Sequence, residues 1–242
     1  MGGARCKYCV YGAFGMICAI MQPTYLPWAG YFNLIAKVDI FIFLDDAQLQ
    51  KNSWHNRNRI LVNYVPHWIT VPVKRNFLAQ TIKETEIDSS QNWRIKQSKL
   101  LQQTYRMHPF AKDVLSICPL IERSEITHLA ELNMFLIRWV SNQLNIQTQF
   151  RLSSEMVVEG KRTDRLIQLL NKLHANEYLS PKGALDYLEA DGFRCQTAIR
   201  LLYQDFNPAP YAQHKHSSFE SHLSIIDVIA NLGWEATKKY VL

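Results

Sequence analysis

The 242-residue chain predicts an α/β protein: a Rossmann-like parallel-sheet core that begins with a βαβ unit and carries a helical insertion or a C-terminal helical part. Three observations lead there. Two short apolar runs, Ile17–Gln22 and Ile40–Leu44, lie within one 28-residue window, residues 17–44, too short for helices and flanked by breakers. Between them the apolar residues switch to helical spacing. Strand-like and helix-like segments then alternate to the C terminus, the pattern of a parallel sheet with helical crossovers.

In chain order, Ile17–Gln22 is a buried strand stopped by Pro23. Pro23–Pro27 is loop, because each proline lacks an amide donor and biases its predecessor to extended geometry. Tyr31/Phe32, Leu34/Ile35 and Val38 give a helix from Ala29 to Val38, and Ile40–Leu44 is the second strand. Ser53–Arg59 is polar, basic and aromatic. Ile60–Val62 and His67–Val73 form a hairpin around Asn63–Pro66. Helices follow over 92–107 and 126–144, a strand over Gln147–Leu152 and a helix over Thr163–His174. Tyr178 ends a strand, a glycine turn opens the helix 184–190, and Ala198–Phe206 is a strand. Leu223–Asn231 is a final helix closed by Gly233. Residues 1–15 read as an N-terminal extension, residues 16–242 as one domain, and the helices between 92 and 144 as a possible helical subdomain.

Composition narrows the function. At 48% hydrophobic and 20% charged residues the chain can bury a core, and no apolar run approaches the ~20 residues of a membrane span. Residues 1–75 hold eight Lys/Arg against three Asp, so they carry most of the net charge of +6. A local excess of that kind favours an anionic partner. Five cysteines, an odd number, and the lack of a cleavage site after the apolar residues 10–21 point to a reducing cytoplasm with free thiols. Cys6 and Cys9 form a lone C-x-x-C without a second pair, so no metal site is expected; no cofactor and no oligomeric state is legible.

In open parallel sheets, ligands sit beyond the carboxyl ends of the strands. Here those ends are Gln22–Trp28 and Asp45–Gln48. Gln22, Tyr25, Trp28, Gly30 and Tyr31 make either an anion site at a helix start or a proline-stiffened turn whose Tyr25 and Trp28 cap the core. The segment is similar to the start of nucleotidylyltransferase folds. Trp28-Ala-Gly30-Tyr31 keeps that glycine, but aromatics replace both histidines, which argues against adenylyl transfer by that mechanism. Asp45, Asp46 and Gln48 are the candidate catalytic groups. Adjacent carboxylates on an extended segment point to opposite sides, so one faces the cleft and the other caps a turn or meets an arginine. Trp54, His55, Asn56, Arg57, Asn58 and Arg59, with Lys74, offer forked donors for phosphate or carboxylate and rings for stacking; the plainer alternative is a basic loop answering Asp45 and Asp46. Further along, Lys161–Arg165 fits the start of a surface helix, Tyr187, Gln204 and Asp227 fall where they could reach the cleft, and His214 and His216 lack metal spacing.

Met21–Phe32, Phe43–Gln48, Trp54–Arg59 and Trp68–Lys74, with Tyr178-Leu-Ser180, Ala184–Leu188, Gln204-Asp-Phe206 and Leu223–Asp227, resemble the WbqC-like family from about Met16 onward. The family is named from a bacterial surface-polysaccharide locus. The resemblance implies an enzyme that attaches an acyl or aminoacyl unit, such as glycine, to an amine, for example on a nucleotide-linked amino sugar. On that reading Arg57, Arg59 and Lys74 hold phosphate or carboxylate, Trp28 and Trp54 stack on a ring, and Asp45 or Asp46 takes the ammonium proton. Two other readings stand beside it: a non-catalytic nucleotide- or phosphate-binding protein on a degenerate nucleotidyltransferase-like fold, and a protein engaging a tRNA-borne donor.

Overall fold

Residues 15–215 and 218–242 are described by the computed structural model; the proposed extension up to residue 14, Cys6, Cys9 and His216 lie outside them. The first apolar run is β1 (Ile17–Met21), followed by α1 (Ala29–Ala36) and β2 (Ile40–Phe43). β1 and β2 pair in parallel from Cys18 opposite Ile40 to Met21 opposite Phe43, which is the βαβ unit expected from the sequence. The period of two in each strand divides the side chains between two cores. Ala19, Phe41 and Phe43 face one, with helices from the first and last parts of the chain; Cys18, Ile20, Ile40 and Ile42 face the other. A strand buried on both faces has to be apolar throughout, and these two are.

The chain then leaves the sheet. β3 (Arg57–Val62) and β4 (Val65–Thr70) form a separate antiparallel pair. The hairpin is tighter than expected: its turn is Asn63-Tyr64, both at positive φ (48° and 67°), the geometry that matches strand twist in two-residue hairpins. Arg57–Arg59, placed by the sequence ahead of the first hairpin strand, are its first residues. Helices α2 (Trp93–Tyr105), α3 (Ala111–Leu115), α4 (Cys118–Ile121) and α5 (Leu129–Gln143) follow, and Leu101, Ile121, Leu132 and Leu136 join the same buried cluster as β1 and α1.

β5 (Gln149–Leu152) returns to pair with β2. After α6 (Arg162–Lys172) the chain crosses to the other side of β1 as β6 (Glu177–Ser180). α7 (Leu185–Ala190) and α8 (Phe193–Gln196) lead to β7 (Arg200–Tyr203), giving the all-parallel order β5-β2-β1-β6-β7. The order reverses between β1 and β6, the topological switch point at which such sheets open a crevice.

The last element, α9 (Ile225–Val241), consists of two helical segments that meet at Gly233, where the sequence reading closed its final helix; the segment beyond Gly233 was not expected. Gly233, at φ 70° and ψ 174°, is non-helical and separates the two segments. A Cβ there would lie 2.4 Å from the Phe110 ring, so the glycine admits Phe110, and the Trp234 amide restarts the helix by donating to Asp113 Oδ2 at 3.3 Å. Among the described residues no helix is long and apolar enough to cross a membrane.

Candidate functional site

The loop from Gln22 to Trp28 occupies the centre of the carboxyl edge, and its backbone is fixed from several sides. Leu26 sits at φ +43°, a conformation that a branched side chain holds only when its surroundings impose it. Its carbonyl accepts from Asn58 Nδ2 and from Ser224 Oγ, both at 2.7 Å. Asn58 Nδ2 also reaches the Tyr25 carbonyl at 3.1 Å. Asn133, buried in α5, donates to the carbonyls of Pro23 (3.0 Å) and His55 (2.7 Å). The Tyr25 amide donates to the Trp54 carbonyl. Asn58 and Tyr25, read from the sequence as ligand-contacting residues, are buried here, with the Asn58 amide spent on the loop. Neither the role of Asn133 nor that of Ser224, which falls within the Leu223–Asp227 segment, was legible, since a single Asn in a helix or Ser at a helix start carries no signature of its long-range partner.

His55 is buried too. Its Nδ1 lies 3.4 Å from the Gln50 amide and its Nε2 3.2 Å from Gln22 Oε1, which assigns the neutral Nε2–H tautomer. Burial pushes its pKa down to about 4, so the ring is an uncharged tether for Gln22.

Two cavities flank the end of β1. The larger, about 880 Å³, is lined by Gln22, Asp46, Gln48, Lys161, Arg162, Arg165 and Tyr187, among others. It lies beyond the ends of β1 and β2, closed on one side by the start of α6. Asp46 faces it, ion-paired to Arg165 and 2.6 Å from Ser153 Oγ. Asp45 is buried and accepts from the Ser154 amide (3.1 Å), Ser154 Oγ (2.7 Å) and Ser153 Oγ (3.1 Å). The two carboxylates therefore share Ser153 and do not point to opposite sides: residues 45–47 form a turn, not an extended strand. Gln48 is exposed, with its Nε2 donating to the Leu78 carbonyl at 2.9 Å.

The cations of this cleft come from a segment that the sequence reading had treated as a surface helix start. Arg162 forks onto Asp191 (3.0 and 2.9 Å), and Lys161 makes no ion pair among the described residues. Tyr187 has its pKa raised, first by burial and then by Asp191, with Arg162 acting in the opposite sense, so it presents a neutral hydroxyl. Only the sheet order could have revealed this cluster, since it places the start of α6 beside the end of β1. Among the described residues no three His, Cys, Asp or Glu side chains gather as a metal ligand set.

The smaller cavity, about 250 Å³, is lined by Met21, Thr24, Pro27, Trp28, Tyr31, Trp54, Asn58 and His222. Gly30 lies beneath it: a Cβ there would sit 2.2 Å from the Trp28 indole, so the glycine makes room for that ring. Gln22 and Asp46 thus share one cavity and Trp28, Tyr31 and Trp54 another. Gln48 also lines the first and Asn58 the second, whereas Asn56, Arg57, Arg59 and Lys74 line neither. Asn56 donates to the Val71 carbonyl at 2.9 Å, Arg57 stacks over Trp68 at 4.2 Å, Arg59 lies 3.8 Å from Glu220, and Lys74 pairs with Glu86 at 2.7 Å.

The model of the WbqC-like protein family matches residues 22–239, from the first residue of the β1 loop into α9. The chain belongs to the WbqC-like protein family. A relative from Mycobacterium tuberculosis, the uncharacterized protein Rv1507c, is 34% identical over 220 residues, covering 90% of this chain and 94% of the relative. No solved structure matches the chain. The family match of this WbqC-like protein spans every residue that lines the two cavities except Met21.

Proposed function

We propose that this WbqC-like protein is a cytoplasmic transferase that forms an amide, moving an acyl or aminoacyl unit onto the amine of an anionic small molecule such as a nucleotide-linked amino sugar, in surface-polysaccharide or natural-product assembly. The observation that carries the reading is one carboxylate, Asp46, set among Lys161, Arg162 and Arg165 in a cleft at the carboxyl edge of a parallel sheet. The cations suit a phosphate or carboxylate on the substrate. The nitrogen of the acceptor forms the new C–N bond, the activating group leaves with its electron pair, and the ammonium proton passes to Asp46. An incoming anion competes with Asp46 for Arg165, which frees the carboxylate as proton acceptor. Asp45, saturated by Ser153 and Ser154, positions the turn that carries Asp46. Three free cysteines among the described residues support a reducing compartment.

A thermal-shift panel of nucleotides, nucleotide sugars, acyl thioesters and aminoacyl-tRNA identifies ligands, and mass spectrometry of paired hits detects the amide. Asp46→Asn is expected to lower turnover by about 10²–10⁴-fold with binding retained, and Arg165→Ala to weaken binding of the phosphorylated ligand about tenfold or more. Full turnover by Asp46→Asn would remove the base assignment. Binding without product from any donor would replace the transferase with a binding protein.

A further inference from the structure

The smaller cavity has walls of an unusual kind. Trp28 is backed by His222 at 4.7 Å between ring centroids and by Phe206 at 5.6 Å. Trp54 is backed by Trp68 at 5.2 Å, and Trp68 in turn carries the Arg57 guanidinium at 4.2 Å. Each indole is thus braced by a neighbouring ring, His222 being itself part of the cavity wall, while no ring contact joins Trp28 to Trp54 among the described residues. The space they line, about 250 Å³ with Tyr31, Met21 and Pro27, is open. Bracing of this sort leaves stacking surface already oriented, so a ring placed against it loses little to side-chain ordering.

The chemistry of the lining selects the ligand. No Lys, Arg, Asp or Glu faces the space, which disfavours a charged guest. The amide of Asn58 is engaged by the loop carbonyls, which leaves on the cavity wall Thr24, whose hydroxyl has no hydrogen-bond partner among the described residues, and the His222 imidazole, whose Nδ1 meets Ser221 Oγ. A flat, neutral ring edged with hydrogen-bonding atoms satisfies both conditions. A nucleobase stacks on any indole face because every base presents a π surface.

We infer that the cavity walled by Trp28, Tyr31 and Trp54 is a nucleobase site, physically separate from the basic cleft, that reads the ring of a nucleoside by stacking. The adjacent residues Met21 and Gln22 line the cavity and the cleft respectively, and the Tyr31 hydroxyl donates to the Gln22 carbonyl at 3.0 Å. The ring site therefore lies one residue of β1 away from the groups that suit phosphate. Its place in a transferase rests on the amide-forming reading of the cleft; the binding of the ring does not.

Adenosine and uridine, which carry neither phosphate nor amino sugar, are the probes. Tryptophan fluorescence and calorimetry on the full chain are expected to show saturable binding, weakened about tenfold or more in Trp54→Ala and largely restored in Trp54→Phe. Trp54 is 47% exposed, and an unchanged melting temperature will show that the alanine variant is folded. Absence of nucleoside binding up to millimolar concentration overturns the inference, as does equal affinity in folded Trp54→Ala. Saturable binding of octanamide with neither nucleoside bound would overturn it in favour of a pocket for an aliphatic chain. Because the probes lack phosphate, these outcomes stand whether or not Asp46→Asn supports the chemistry of the cleft.

Discussion

Asn58 offers the sharpest test of how the loop is built, because replacing its amide donor by a carboxylate of the same shape separates its donor role from its volume. Its Nδ2 serves two carbonyls, at 3.1 and 2.7 Å, and its Oδ1 accepts from the Arg59 amide at 2.7 Å. In Asn58→Ala those three bonds are lost, at about 1 kcal/mol each. A total near 3 kcal/mol lowers the melting temperature of a chain this size by about 6–12 °C. Asn58→Asp keeps the volume but turns a carboxylate toward the carbonyls of Tyr25 and Leu26, in a buried position where the charged form is disfavoured. Its folded-state pKa rises above the unfolded value of about 3.9. At pH 7 the aspartate variant is then expected to be less stable than the alanine variant. Below about pH 4 both states are protonated and that excess penalty vanishes; it grows as pH rises from there through the folded-state pKa. Urea titrations of wild type, Asn58→Ala and Asn58→Asp between pH 3.5 and 7.5 read this directly. An alanine penalty under about 0.5 kcal/mol, or an aspartate penalty independent of pH, would refute the loop-fastening role.

Gly30→Ala places a Cβ 2.2 Å from the Trp28 indole, so it is expected to cost about 1–3 kcal/mol and to abolish nucleoside binding, measured by thermal melts and fluorescence titration. His55 and His108 both have folded-state pKa values pushed down to about 4, each chiefly by burial. The native state thus binds fewer protons than the unfolded chain, and stability present above pH 6.5 is lost as pH falls toward 4, by up to about 3 kcal/mol for the buried His55 and by less for the half-buried His108, where solvent screens the effect. Replacing His55 with Gln is expected to flatten that slope by at least about half in pH-dependent denaturation; an unchanged slope would exclude His55 as a source.

How far the sequence reached can be judged from individual residues. Ile17–Gln22 and Ile40–Leu44 announced themselves because a strand covered on both faces tolerates no polar residue, and that constraint is local. Asp46 was placed at the carboxyl edge of the sheet because strand direction alone decides which end of β2 it occupies. Gly233 interrupts the last helix as its place in the sequence suggested, but the contact that demands glycine there, with Phe110 more than a hundred residues away, and the helical segment beyond it were not legible. Asp45 and Asp46 were assigned to opposite faces on the premise of extended backbone, which the turn after β2 removes.

What the sequence determined by itself is the set of local periodicities: an α/β chain, its first βαβ unit, the family, and the edge of the sheet where ligands would bind. Tertiary structure decided which side chains meet there. It brought Lys161, Arg162 and Arg165 to Asp46, drew Asn58 and His55 into holding the loop, and set the aromatic rings apart in a cavity of their own. Secondary structure follows from neighbours within a few residues, whereas a site is assembled by crossovers and close packing between segments whose spacing along the chain carries no record of their distance in space.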